Sequence, residues 1–298
     1  IGNDAFQEAD TTGITRPCTK HNYLVKNPDR LARTMHEAFH VASSGRPGPV
    51  VIDLPKDILV SKAPYLEPAQ VQHRTYNPVV KGERSQIEEA MEMLASAKKP
   101  ILYCGGGVIN SGMQACKLLT EFTRMTGAPI TLTLMGLGAY PASDKQYLGM
   151  LGMHGTYEAN MSMHDCDVMV AIGARFDDRV TGNLDFFAPN SQKIQVDIDQ
   201  SSINKNVPVD IGIVGDVGHV LEDMIKIWKA KQYKIEANAL DSWWKEIEGW
   251  RSKHCLSYKQ PTDVIKPQHV IRRVHALTRD RKTYITTDVG QHQMWAAQ

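Results

Sequence analysis

The chain has 298 residues, more than one compact domain usually holds, so two or more domains are expected. Lys and Arg number 34 against 33 Asp and Glu, a net charge of +1, and no basic stripe is interleaved with aromatics, which excludes nucleic acid as the expected partner. No apolar run reaches the roughly 18 residues that span a bilayer and no signal-peptide pattern opens the chain, so no membrane is expected.

The five cysteines (Cys18, Cys104, Cys116, Cys166, Cys255) include no C-x-x-C, and free, mostly buried thiols in a reducing compartment are expected. The first residue is Ile1 rather than methionine and the pattern breaks off at Gln298, so the expectation is the middle of a longer protein.

Residues 1–27 are polar and irregular in pattern. Asn27-Pro28 then offers an N-cap and a first-turn proline, and Leu31, Met35, Ala38, Phe39 and Ala42 follow at helical spacing up to Gly45. Val50–Leu54 reads as a short buried strand ended by Pro55, and 61–80, with Pro64, Pro68 and Pro78, reads as a linker. Ser85 and Glu88 have capping-box spacing before the apolar positions Ile87, Ala90, Met91 and Leu94. Pro100–Cys104 is the next strand, running into Gly105-Gly106-Gly107 and a helix that ends near Gly127. The series continues with strand Pro129–Leu134, a helix over Thr156–Met163, strands at 167–172, Lys193–Ile198 and Val209–Val214, and a helix over Asp216–Lys229. Alternation of this kind predicts an α/β fold, a parallel sheet with helices on both faces. The charged, tryptophan-bearing stretch 231–265 reads as a helix leading out of that domain. Pro267 opens a further helix, and Tyr284–Thr287 is expected as a strand carrying Asp288-Val289-Gly290-Gln291-His292 at its carboxyl end.

The stretch 167–179 draws attention first: an apolar run stops at Gly173, and Arg175, Asp177, Asp178 and Arg179 follow within a few residues. Such charges must pair, meet a ligand or face water. Ligands of open α/β sheets sit at the carboxyl ends of strands. The five predicted ends carry Gly105 to Gly107, Leu134 to Gly136, Gly173 to Arg175, Asp197 to Asp199, and Gly215-Asp216. Any one of these has a plain reading, in which glycines end strands and Asp216 caps a helix. Together they favour a large, partly anionic nucleotide. The dinucleotide fingerprint G-x-G-x-x-G is absent, and Leu134 and Met135 stand where its acid would fall about 20 residues on, so nicotinamide binding is disfavoured.

His36-Glu37-Ala38-Phe39-His40 is a literal H-E-x-x-H, the pattern of zinc peptidases. Ser43 and Arg46 stand where the extended pattern wants glycine and a third histidine, so the reading preferred is the surface face of a core helix.

Seven motifs occur in order: Asp4-Ala5-Phe6-Gln7-Glu8, Thr19 to Val25, Ser44 to Val50, Leu134 to Gly138, Leu151-Gly152-Met153-His154-Gly155, Arg175-Phe176-Asp177-Asp178-Arg179-Val180-Thr181-Gly182, and Val289 to Trp295. Together they resemble the catalytic subunit of acetohydroxyacid synthase (acetolactate synthase), a thiamine diphosphate-dependent family. The resemblance implies a central doubly wound parallel-sheet FAD-binding domain (81–230) flanked by partial thiamine diphosphate-binding α/β domains. Residues 1–60 would be the C-terminal part of the pyrimidine-binding domain and 266–298 the start of the diphosphate-binding domain, with linkers at 61–80 and 231–265.

The FAD contacts it implies are Arg46, Gly105, Gly106, Gly107, Thr133, Leu134, Leu151, Gly152, Met153, His154, Gly173, Ala174, Arg175, Phe176, Asp177, Asp197, Ile198, Asp216 and Val217. Gln7 and the turn Val289, Gly290, Gln291, His292 would touch thiamine diphosphate. Phe6, Lys56, Met153, Asp178 and Arg179 would line the substrate channel, with Phe6, Gln7, Lys56 and Arg179 as the catalytic set.

The implied reaction is decarboxylation of pyruvate and carboligation to pyruvate or 2-ketobutyrate in branched-chain amino acid biosynthesis, with no net redox change. The implied assembly is a cytoplasmic homo-oligomer with a small regulatory subunit, an organelle staying open. The activating glutamate and the Mg2+ ligands of the family fall outside residues 1–298, so no metal ligand is assigned and these residues alone are expected to be inactive. Ala174 departs from the family's usual valine. A glyoxylate carboligase-like enzyme and a non-catalytic nucleotide-binding module stay open as alternatives.

Overall fold

A computed structural model of the chain describes residues 2–65, 67, 73 and 75–298. Parts of the expected linker 61–80, Pro68 among them, lie outside the described residues. Two compact units are present, one up to Val80 and one from Lys81 to Gln298.

In the first unit α1 (Thr11–Thr15) precedes β1 (His21–Leu24), and α2 (Leu31–Ser43) leads to β2 (Val50–Asp53) and α3 (Lys56–Val60). The strands pair in parallel, His21 opposite Val50 and Leu24 opposite Asp53. β1 lies in a segment read as irregular: four residues with His21 and Asn22 among them have no apolar alternation, and the pairing with β2 makes the strand. Asn27 begins the helical stretch as expected, its Oδ1 accepting from Asp29 N at 2.9 Å. Ala38 and Val41 are buried on α2, whereas Phe39, expected inward, is 71 % exposed. In the H-E-x-x-H segment Glu37 is paired to Arg33 at 2.7 Å, and among the described residues no three His, Cys, Asp or Glu side chains are grouped to hold a metal ion.

The second unit begins with α4 (Arg84–Ala95), β3 (Pro100–Cys104), α5 (Gly106–Asn110), α6 (Met113–Thr126), β4 (Ile130–Leu132), β5 (Tyr147–Met150), α7 (Tyr157–Asp165) and β6 (Val168–Ile172). It continues with α8 (Asp178–Thr181), β7 (Gln192–Asp197), β8 (Ile211–Val214), α9 (Val217–Ala230), α10 (Ala237–Arg251), α11 (Pro267–Thr278) and α12 (Gln291–Ala297). The six strands form one parallel sheet in the order β5-β4-β3-β6-β7-β8, Pro100 opposite Val168 and Cys104 opposite Ile172 at its centre. β3 and β6 are buried along their whole length, as their unbroken apolar runs require.

Alternation divides each strand between two cores. Leu102, Cys104, Val170 and Ile172 point to the layer of α4, α6 and α9, where Leu94, Phe122, Leu221 and Met224 meet them. Ile101, Tyr103, Met169 and Ala171 point to the other layer, with Met163 of α7 and Trp243 and Ile247 of α10. The fold is thus a three-layer doubly wound α/β unit.

Several expectations change on contact with the structure. The capping box fails: the N-cap of α4 is Glu83, two residues before Ser85, Arg84 takes Glu88 at 2.9 Å, and the Ser85 hydroxyl donates to Glu83 Oε1 at 3.3 Å instead. The helix expected to run from the glycines to Gly127 is divided at Ser111-Gly112 into α5 and α6. The edge strand β5 is an addition to the five strands expected. The stretch 231–265 contains α10, which does not lead outward: Trp243 is buried and its Nε1 donates to Pro100 O at 3.0 Å, while Trp244 Nε1 donates to Gly127 O at 3.0 Å. Tyr284–Thr287 forms no strand, and Tyr284 is 97 % exposed, because no described strand lies beside it to complete the backbone pairing. Of the thiols, Cys104 and Cys166 are buried, Cys116 is intermediate, and Cys18 and Cys255 are exposed, fewer buried than expected.

Since Trp243 fills the layer beneath β3, Trp243→Ala is expected to lower the unfolding free energy by about 3–5 kcal/mol in denaturant titration. A loss under about 1 kcal/mol would place α10 outside the cooperative fold.

Candidate cofactor crevice and substrate cavity

Strand order reverses between β3 and β6, and a doubly wound sheet opens its crevice outside the carboxyl ends of such a pair. Here those ends are joined directly. Gly105 N donates to Ile172 O at 2.9 Å and Gly107 N to Gly173 O at 3.0 Å. A Cβ on Gly105 would stand 2.4 Å from Gly173 O, and one on Gly107 2.6 Å from Gly173 Cα, distances no side chain tolerates. The glycines expected to admit a ligand therefore first admit each other, and the floor of the crevice is bare backbone. Thr133, at the end of β4, adds to it: its N donates to Cys104 O at 2.9 Å and its Oγ1 accepts from Gly136 N at 3.1 Å, turning Leu134–Gly136 over the end of the strand. Burial pushes the Cys104 thiol well above its ordinary range, so it stays protonated beneath this floor and is no nucleophile.

The turn after β6 resolves the charge pattern of 175–179. Arg175 pairs with Asp177 at 2.5 Å and Arg179 with Asp178 at 3.2 Å, all four side chains partly or largely in water. Asp177 also caps α8, Oδ1 accepting from Arg179 N at 3.0 Å. Between them Phe176 sits at φ +54° with its ring buried against Tyr103 and Phe187, centroids 5.6 and 6.0 Å away. A bulky residue in the left-handed region is strained and must be held. Two amides hold it: Gln195 Nε2 donates to Ala174 O at 3.1 Å, and Asn206 Nδ2 to Phe176 O at 2.9 Å. The ring of Phe176 is thus core, and the side chain presented outward is that of Arg175.

Of the other residues expected here, Asp197 is buried at the end of β7, its Oδ1 accepting from Asp199 N at 2.9 Å, and Ile198 beside it is half-buried. Asp216 is the N-cap of α9, its Oδ1 accepting from Ser111 Oγ at 2.8 Å and Gly218 N at 3.0 Å, which is the plain reading of that residue. Val217 and Ala174 are core residues, each under 5 % exposed.

The loop after β5 builds a second feature. Gly152, at φ +94°, lies so close to the next turn that a Cβ would meet Arg179 O at 2.7 Å, and Met153 N donates to that same oxygen at 2.8 Å. Leu151, Gly152 and Met153 line, together with Asp178, Arg179 and Phe186, a cavity of about 390 Å3. Two motifs 24 residues apart in the chain therefore share one wall. His154 is exposed, and its carbonyl accepts from Gln298 Nε2 at 3.0 Å.

The other expected residues lie on other elements. Phe6, 91 % exposed, and Gln7, at φ +61°, lie on a turn of the first unit; Arg46 follows α2; Lys56 is the first residue of α3. Val289 and Gly290 lead into α12, which Gln291 and His292 begin and which has no buried residue. Ser111, Asn160, Gln195 and Asn206 are parts of the machinery that motif reading passes over. Only Gln195 carries a signal in the sequence, a polar residue inside the apolar run Ile194-Gln195-Val196.

Residues 87–224 match the family described as "Thiamine pyrophosphate enzyme, central domain", which spans α4 through most of α9. Over its whole length the chain is 49 % identical to an acetolactate synthase large subunit from Haemophilus influenzae and to the isozyme 3 large subunit from Escherichia coli, covering 52 % of each. It is 44 % identical to an acetolactate synthase from Mycobacterium leprae, covering 47 % of that protein. The chain is similar to acetolactate synthases over its whole length. It spans about half the length of the curated relatives it matches. The matched central domain is the part that carries both the crevice and the cavity.

Because backbone, not a flexible side chain, opposes a methyl at position 107, Gly107→Ala is expected to cost about 1–3 kcal/mol in thermal or denaturant unfolding. Gly106→Ala, whose Cβ would meet Met135 Cβ at 3.1 Å, should cost less; equal costs would contradict the close approach of the two turns.

Proposed function

We propose that this chain forms part of an acetolactate synthase catalytic subunit that decarboxylates pyruvate and joins the two-carbon unit to a second 2-ketoacid. The observation that carries the reading is the sharing of one cavity wall by the loops Leu151–Met153 and Asp178–Val180, both family motifs, at the carboxyl edge of a thiamine pyrophosphate enzyme central domain. Thiamine diphosphate, when bound, supplies the electron sink for decarboxylation. Gln7 and the Val289–His292 turn are the groups of this chain assigned to it, and the Mg2+ ligands are assigned to residues beyond it.

FAD is assigned to the switch-point crevice, and the residues there fit it in kind. A floor of backbone without side chains admits an extended flat ligand, and Arg175, 60 % exposed, offers a guanidinium to a diphosphate once Asp177 shares it. Asp197, at the end of β7, suits hydroxyl or amine groups. The flavin role is structural, since the reaction has no net redox change. Met153, Asp178 and Arg179 flank the small cavity, where Arg179 is the cation for a ketoacid carboxylate. Phe6 and Lys56 are assigned to the substrate channel and Arg46 to the flavin contacts. We place that enzyme in the cytoplasm as an oligomer with a small regulatory subunit, and assign it 2-ketobutyrate as a second acceptor.

The test is product analysis with the complete protein supplied with thiamine diphosphate, Mg2+ and FAD. Acetolactate from pyruvate is expected, and none from residues 1–298 alone; preferential turnover of glyoxylate would replace this reading by that of a glyoxylate carboligase. In a flavin fluorescence titration, binding is expected to saturate at one FAD per chain, and Arg175→Gln to weaken it about tenfold. Unchanged affinity would remove Arg175 from the diphosphate site.

A further inference from the structure

The loop that walls the cavity is held by a residue that no motif contains. Asn160 stands in the first turns of α7, after the N-cap Thr156. Its Oδ1 accepts from Gly152 N at 2.8 Å, and its Nδ2 donates to Gly152 O at 2.9 Å. A single side-chain amide thus answers both backbone groups of one glycine. Asparagine can do this because it carries donor and acceptor side by side; aspartate keeps the acceptor alone and alanine neither. Gly155 N also donates to Gly152 O at 2.9 Å, closing the turn.

Gly152 has little freedom and still needs holding. Its φ of +94° is one that its neighbours would not adopt, and its peptide is pressed against Arg179 O. The next amide, Met153 N, donates to that same oxygen. The contacts form one chain: Asn160 to Gly152, Gly152 to Met153, Met153 to Arg179. If Gly152 turned, the Met153 amide would leave the Arg179 carbonyl, and the two motif loops would lose the bond that joins them. Asn160 itself lies on the cavity wall.

We propose that Asn160 is a positioning residue for the substrate cavity: its amide clamps Gly152 and thereby sets where Met153 and Arg179 stand toward a small 2-ketoacid. The inference rests on the assignment of this cavity made under Proposed function, so its test has one arm that does not depend on activity.

That arm is amide hydrogen exchange in the holoenzyme, comparing the wild type with Asn160→Ala and the milder Asn160→Asp. Loss of one or both hydrogen bonds is expected to speed exchange at Gly152 and Met153 about tenfold, while the amides of β3 and β6 keep their protection. The second arm is steady-state kinetics, in which KM for pyruvate is expected to rise about tenfold. Unchanged exchange at Gly152 and Met153 overturns the clamp whatever the kinetics show. Faster exchange with unmoved KM overturns the positioning role, because the loop would then be held without setting the site. A folded wild type that makes no acetolactate overturns the functional reading instead, and the clamp then stands or falls on exchange alone.

Discussion

The second unit depends on two strand ends being able to touch. Gly105 and Gly107 after β3 and Gly173 after β6 bring two turns together through backbone alone, at distances that leave no room for a Cβ on either side. The close approach has two effects. It closes the centre of the sheet with hydrogen bonds that continue past the last paired residues, Cys104 and Ile172. It also leaves the crevice at the switch point floored by peptide groups, which are polar, flat and fixed. A site for a long planar cofactor needs such a surface, and side chains would obstruct it.

Polar groups are then added by turns of specific shape rather than by clustering. Phe176 occupies the left-handed region with its ring locked in the core, so Ala174 turns inward and Arg175 outward; Gln195 and Asn206 answer the carbonyls that this shape leaves unpaired. Thr133 does similar work after β4 and Asp216 before α9. The cavity is made the same way, by Gly152 and Met153 lying against Arg179. Strain and close contact at these turns are supported by α4, α6 and α9 on one face of the sheet and by α7 and α10 on the other.

The central strands were legible because burial on both faces demands unbroken apolar runs, and Pro100–Cys104 and Val168–Ile172 supply them. β5 was not: Tyr147–Met150 is an edge strand with a glycine in it, half-buried on one side, and only its partner β4 makes it a strand. β1 was hidden for the same reason. Tyr284–Thr287 shows the converse, β-prone residues with no strand to pair with. Ser85 marks a helix start without capping it, because competition for Glu88 by Arg84 is decided by rotamers. At the site, the motifs located the loops but not what the loops do. That Gly105 and Gly107 pack against Gly173, that Phe176 is core, and that Asn160 reaches back to Gly152 all follow from backbone angles that residue identity does not encode.

The crevice between β3 and β6 is the flavin site we propose for this chain. The most direct measurement is amide hydrogen exchange of the complete protein with and without FAD. New protection is expected at 105–107, 133–136 and 173–175. Saturable FAD binding that protects other segments and leaves these unchanged would contradict it.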